Sequence, residues 1–199
     1  MSRFIIRRAK AEDGAALCAI YAPYITDTTI TFEYEVPTDA AFSDRIRETA
    51  AQFPYLVCEK DGGIIGYAYA HRIRERAAYD WDVELSVYLK QGTHGRGIGT
   101  VLLACLIELL EMQGLRHLYS CVTMPNPRSV GMQHRLGFED AGVWHKSGWK
   151  FGAWHDVAWF EKHVGGGEPK PVVPFPELDG DNIQKTLNIY TEKLNLEDK

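Results

Sequence analysis

An alternating run that passes directly into a glycine-rich turn and then into a helix fixes the centre of this chain. In DVELSVYL (82–89) the apolar Val83, Leu85, Val87 and Leu89 fall on one face of a strand, and Glu84, Ser86 and Tyr88 fall on the other. The turn GTHGRGIGT (92–100) follows. From Ile98 the positions Ile98, Leu102, Cys105, Leu109 and Met112 recur at helical spacing, with a stop near Gly114. Such a turn presents successive backbone N–H groups beside the positive end of a helix dipole, worth about half a unit charge. It either binds a diphosphate, with Arg96 as an added cation, or serves tight packing; the spacing alone allows both. Its position excludes two nucleotide motifs. A dinucleotide fingerprint follows the first strand, whereas this turn lies mid-chain behind a hairpin, and no Gly-Lys-Ser/Thr closes it as a Walker loop requires.

The flanking sequence reads as mixed α and β. RFIIR (3–7) predicts a strand, and Ala16, Leu17, Ile20 and Tyr21 predict a helix entered through Ala11-Glu12-Asp13. A second helix is expected from Thr38 or Asp39 to Gln52, ahead of Pro54. Residues 55–59 and 64–73 read as strands joined by Asp61-Gly62-Gly63. Further on, 117–123 predicts a strand, 126–136 a helix stopped by Gly137, and 138–145 and 153–161 two closing strands. Gly165-Gly166-Gly167 ends the regular pattern, Pro169, Pro171, Pro174 and Pro176 favour extended chain, and Ile183, Leu187, Tyr190 and Leu194 suit either a docked helix or a loose tail. The expected organisation is therefore one domain over 1–164 with a Gly/Pro-rich extension over 165–199.

Composition narrows the partners. With 199 residues, 45% of them hydrophobic and 25% charged, the chain is globular. It has no apolar run near the 18 or so residues of a membrane span and no secretory leader, so a cytoplasmic location without membrane contact is expected. A formal charge of −5 and a pI near 5.8 speak against nucleic acid as a partner. Cys18, Cys58, Cys105 and Cys121 are widely spaced in apolar segments and read as buried hydrophobes, with no disulfide or metal framework.

Longer motifs make a family resemblance specific. SVYLKQGTHGRGIGTVLL (86–103) resembles the acetyl-CoA pyrophosphate loop of GNAT acetyltransferases, and Asn126, Ser129 and Gly137-Phe138 resemble that family's second CoA-side helix. AYDW (78–81), Glu84 ahead of SVYL, MPNPRSVGMQ (124–133), GWKFGAWHDV (148–157) and the Pro-rich segment 169–176 are similar to the phosphinothricin and methionine sulfoximine acetyltransferase group. The similarity covers roughly residues 3–176. It implies an α/β (α+β) fold, one GNAT-like domain with a mixed, splayed central sheet flanked by helices. It also implies N-acetyl transfer from acetyl-CoA to a small anionic amino-acid-like amine, without a metal, in a homodimer, an activity tied to antibiotic or herbicide resistance.

The resemblance assigns roles residue by residue. Val87, Tyr88, Leu89, His94, Gly95, Arg96, Gly97, Ile98, Gly99, Thr100, Asn126 and Ser129 would hold acetyl-CoA. Glu84 matches the catalytic glutamate, the base that direct attack by an amine requires, because an amino group with pKa near 8 or above is mostly protonated at pH 7. Arg74, Arg76 and Tyr79 match substrate-contacting positions; paired guanidiniums suit carboxylate or phosphinate oxygens. Phe32 and Val157 would line the same pocket. The group's acid on the Asn126 helix is replaced by Gln133, and His134, about 100° further round the helix, is the candidate in its place. Trp154-His155-Asp156 reads as a structural network in which Asp156 orients His155. The competing readings are a protein or peptide N-acetyltransferase and a non-catalytic acyl-CoA-binding module.

Overall fold

The computed structural model describes residues 3–197. Seven strands, β1 (Phe4–Arg8), β2 (Tyr55–Lys60), β3 (Gly63–Arg72), β4 (Asp82–Leu89), β5 (His117–Thr123), β6 (Glu139–Lys150) and β7 (Ala153–His163), form one sheet in the order β1-β2-β3-β4-β5-β7-β6. Every neighbouring pair is antiparallel except β4 and β5. A parallel pair needs a crossover, which the glycine turn and α3 (Ile98–Met112) supply.

Strand alternation sorts the core into two layers. On one face Leu56, Ala68, Val83 and Leu85 pack with Leu102, Cys105, Leu106 and Leu109 of α3, and Val87 and Leu89 lie against the same cluster. On the other face Tyr55, Val57 and Tyr67 pack with Leu17, Tyr21 and Tyr24 of α1 (Gly14–Thr26) and with Phe42 and Ile46 of α2 (Asp39–Ala50). Each fully buried aliphatic side chain contributes roughly 1.5–3 kcal/mol. Thr38 caps α2, its hydroxyl accepting from Ala41 N at 3.1 Å. Glu84 thus lies on the α1–α2 face, opposite the apolar row of its own strand.

Two expectations change, and one open alternative is decided. The closing strands are longer than 138–145 and 153–161: β6 runs on to Lys150 and turns through Phe151 and Gly152, at φ 50° and 75°. The register slips between Trp144 and Gly148, with Lys146 at φ 50°, so the alternation that marks a strand is broken there. The terminal segment is a docked helix, α5 (Gly180–Glu197), with Ile183, Leu187 and Leu194 buried in the α3-side cluster. Cys18, Cys58 and Cys105 are buried, but Cys121 is exposed, because α1 and α2 cover only the β2–β4 half of their face.

The extension grips the body through polar contacts as well. Val173 N donates to Gln113 O at 2.9 Å and Phe175 N to Gln52 O at 3.0 Å, while the Gln113 amide donates to the carbonyls of Gln52 and Val173. Beyond it α5 covers the open edge of β1. Ile6 N donates to Thr191 Oγ1 at 2.9 Å, Phe4 N donates to Asn195 Oδ1 at 2.9 Å, and Asn195 Nδ2 returns a bond to Phe4 O at 3.1 Å. No helix among the described residues is long and apolar enough to cross a membrane.

Asn195→Ala should leave a half-buried N–H and C=O of Phe4 without partners and destabilise the protein by about 1–3 kcal/mol. Thermal unfolding should show it as a fall in Tm of about 2–4 °C per kcal/mol, with acetyl-CoA affinity unchanged. An unaltered Tm would mean that water serves that edge as well as α5 does.

Candidate active site

The site begins where two strands part. β4 and β5 pair only at Asp82↔His117, Val83↔Leu118 and Glu84↔Tyr119. Beyond Glu84, β4 stays with β3 and β5 stays with β7, so the parallel strands diverge and a cleft opens between them. Its walls are Ser86, Val87 and Tyr88 from β4, Cys121 and Thr123 from β5, and Asn126, Ser129 and Gln133 from α4 (Pro127–Arg135) and its cap.

Glu84 is the last residue of β4 paired to β5 and adjoins the Leu85–Tyr88 stretch that lines the cleft. Its side chain keeps 20% of its exposure, and burial pushes the carboxyl up to about 7. Desolvation disfavours the charged form, and no ammonium or guanidinium offsets it. The cross-strand partner of Glu84 on β3 is His71, whose Nε2 lies 3.8 Å from Glu84 Oε2. Burial lowers the basicity of that imidazole. Both groups are therefore drawn toward neutrality near pH 7, which suits proton transfer.

The glycine turn joins the C-terminal end of β4 to α3. Gly95 and Gly97 have φ of 86° and 73°, conformations that side-chain-bearing residues rarely adopt, and a Cβ on Gly95 would project into open space. Gly97 is the N-cap of α3 and brings no side-chain cap, so the first-turn N–H groups of Ile98, Gly99 and Thr100 are not capped by that residue. This arrangement fits a diphosphate. His94 packs behind it, hydrogen-bonded through Nε2 to Tyr24 at 3.0 Å, and Tyr24 in turn donates to Leu89 O. Asn126 Oδ1 accepts from Ser129 N at 3.1 Å, so both residues line the cleft and also start α4.

The other sequence-derived candidates are placed as follows. Gln133 is buried and lines the cleft, and its Oε1 has no protein partner. His134 points outward, 3.3 Å from Asp140 and edge-on to Phe160, and does not line the cleft. The helical rotation separates the two neighbours. Arg74, Arg76 and Tyr79 occupy the exposed connection between the His71 end of β3 and the start of β4, where Arg72 pairs with Asp80. Phe32 lies against Gly148, where a Cβ would come within 2.2 Å of its ring, and 6.3 Å from His155. Val157 is buried on β7 opposite Thr123. Asp156 does not orient His155 as expected: it accepts from Lys146 N and pairs with His145, while His155 Nε2 meets Lys150 O at 3.0 Å. Adjacent strand residues face opposite sides, which is why the two part company.

His71 escaped the sequence reading. So did the cavity of about 220 Å³ beside it, lined by Tyr21, Phe42, Arg45, Tyr55, Tyr67 and Tyr69 together with His71 and Thr49. The alternating Tyr67, Tyr69 and His71 of one strand were the available signal.

The Acetyltransferase (GNAT) domain family matches residues 6–159. The chain is a GNAT acetyltransferase. Phosphinothricin N-acetyltransferase of Streptomyces viridochromogenes is 34% identical over 174 residues, covering 87% of this acetyltransferase and 95% of the relative. The L-methionine sulfoximine/L-methionine sulfone acetyltransferase of Pseudomonas aeruginosa is 34% identical, with 80% and 94% covered. Among solved structures, a GNAT superfamily phosphinothricin acetyltransferase from Sinorhizobium meliloti in complex with AcCoA superposes with a TM-score of 0.82 at 32% identity, covering 86% of this chain and 96% of that one. The superposition covers the mixed, unclosed seven-stranded sheet and flanking helices of this acetyltransferase.

Proposed function

We propose that this enzyme acetylates the amine of a small, anionic, amino-acid-like substrate of the phosphinothricin or methionine sulfoximine/sulfone kind by direct attack, with Glu84 as general base. The observation that carries the reading is the Glu84 carboxyl itself, held near pH 7 by burial at the point where β4 and β5 part. A base with that pKa both accepts a proton from an ammonium group and gives it up again at neutral pH. Glu84 removes one proton from the ammonium group, the amine nitrogen bonds to the thioester carbonyl carbon, and the C–S bond breaks as the second nitrogen proton passes to the leaving sulfur, giving the amide and the thiol of CoA. Residues 94–100 would hold the diphosphate of acetyl-CoA on backbone N–H groups, with Val87, Tyr88, Leu89, Asn126 and Ser129 along the cleft. The Gln133 side chain can donate a hydrogen bond there without surrendering a proton. Arg74 and Arg76, with Tyr79, would read the substrate's anionic groups, and Phe32 and Val157 would shape the pocket.

We also read the protein as a homodimer. The β6–β7 hairpin exposes Val143, Trp144, Trp149, Phe151 and Trp154, a cluster of large apolar side chains rare on a surface that stays in water. Light scattering should return twice the mass of the 22.5 kDa chain, and a monomer at micromolar concentration would overturn this reading.

Glu84→Gln should lower kcat/KM by about 10²-fold or more with acetyl-CoA affinity nearly unchanged, because shape is kept and the base is lost. In the wild type, activity should fall as pH drops below about 7, where Glu84 takes up a proton and can no longer accept one. Wild-type rates in the variant at pH 7 would remove Glu84 from the mechanism. Arg74→Ala or Arg76→Ala should cost about 30- to 150-fold in kcat/KM for an anionic amino acid, with much smaller losses for a neutral amine and only partial recovery in the lysine variants. Equal losses for anionic and neutral amines would mark the arginines as a solvated face.

A further inference from the structure

Glu84 has a second task that its own position makes difficult. Each turnover leaves a proton on it, and its side chain retains only 20% of its exposure, so direct return of that proton to water is hindered. His71 is the neighbour placed to help. It is the register partner of Glu84 across β3 and β4, its Nε2 lies 3.8 Å from Glu84 Oε2, and its own side chain is 43% exposed. The 3.8 Å separation is beyond a hydrogen bond, and catalytic contacts of this kind commonly tighten when substrate binds.

The surroundings of His71 leave Glu84 as the group that governs it. Tyr55 faces it from β2, Tyr67 and Tyr69 from its own strand, Tyr21 from α1, and Arg45 from α2. Burial keeps all four phenols neutral by raising them above their ordinary value. The Arg45 charge is matched by Glu33, whose carboxylate accepts two bonds from it at 2.8 and 3.1 Å. Nδ1 of His71 is buried without a partner, so the ring has lost water on that side and gained no bond that would stabilise a retained proton.

We propose that His71 is a positioning residue that acts through Glu84, orienting its carboxylate and taking from it the proton that the amine surrenders. This rests on the reading of Glu84 as the base. One ammonium proton moves to a Glu84 oxygen, the freed amine attacks the thioester carbonyl, and the second nitrogen proton leaves with the CoA sulfur as the C–S bond breaks. The Glu84 acid then passes the proton to His71 Nε2, giving carboxylate and imidazolium, and, since Nδ1 is buried, the imidazolium gives up that Nε2 proton to water. No oxidant or further reactant enters. A half-buried histidine that merely lined the tyrosine cavity would leave the proton chemistry unaffected.

The test compares His71→Phe, His71→Gln and His71→Ala with Glu84→Gln, using acetyl-CoA and methionine sulfone as probes. The His71 variants should lose about tenfold in kcat, with the Kd for acetyl-CoA and the Tm little changed. The acidic limb of kcat/KM should move to higher pH by about half a unit or more, because a neighbour that can become a cation favours the Glu84 carboxylate and its loss disfavours it. Added imidazole should restore part of the rate of His71→Ala. Unchanged kcat and pH profile in the folded His71→Phe and His71→Gln proteins, or a loss confined to KM that imidazole does not relieve, would overturn the proposal. The two readings fail separately. A collapsed Glu84→Gln beside normal His71 variants removes the relay alone, whereas an active Glu84→Gln removes the base reading.

Discussion

The pairing between β4 and β5 stops at Glu84↔Tyr119, and the rest of the molecule is arranged around that stop. Two strands that begin in register and then part must be held apart, and each is held by its outer neighbour: β4 by seven pairs to β3, β5 by seven pairs to β7. The two backbone edges facing the gap have no ladder partner in each other. Such edges need either water or a ligand that carries amides of its own. The glycine turn follows the C-terminal end of β4, and α4 borders the gap with Asn126, Ser129 and Gln133. One local failure of pairing thus opens the cleft directly beside a largely buried carboxyl group.

Holding Glu84 there lowers stability in a definite pH range. Its pKa rises from 4.5 unfolded to about 7 folded, so the folded state binds the proton more tightly. Below the unfolded value the group is protonated in both states and carries no charge-burial cost. As pH climbs through the interval up to about 7 the cost builds, reaching roughly 3 kcal/mol when 2.5 pKa units are converted at 1.36 kcal/mol each. That is a large share of the stability of an ordinary domain, and the apolar packing of α3 against Val83 and Leu85 on the reverse face of the strand offsets it.

The parts legible in the sequence were those with a clean period. β4 was bounded to the residue, because Val83 through Leu89 alternate without a break, and β5 and the Asn126-capped α4 were nearly as clear. The 146–152 stretch was not, since a positive φ at Lys146 and a slipped register erase the alternation. Site residues divide in the same way. The about 100° step that separates Gln133 from His134 is a property of one helix and can be read from the chain. The approach of His71 to Glu84 depends on the register between two strands, and the sequence pattern of a strand does not state which residue of its neighbour it will meet.

The two ends of the sheet differ in what they can accept. At β1 the Thr191 and Asn195 side chains occupy the backbone groups that another strand would need, while β6 at the far end remains exposed except at Gly148 and Lys150. The sheet therefore has a valence of one. Two copies joined through their β6 edges would present only capped β1 edges to a third, so assembly along the sheet would terminate as a closed pair, with no route to an open-ended fibre.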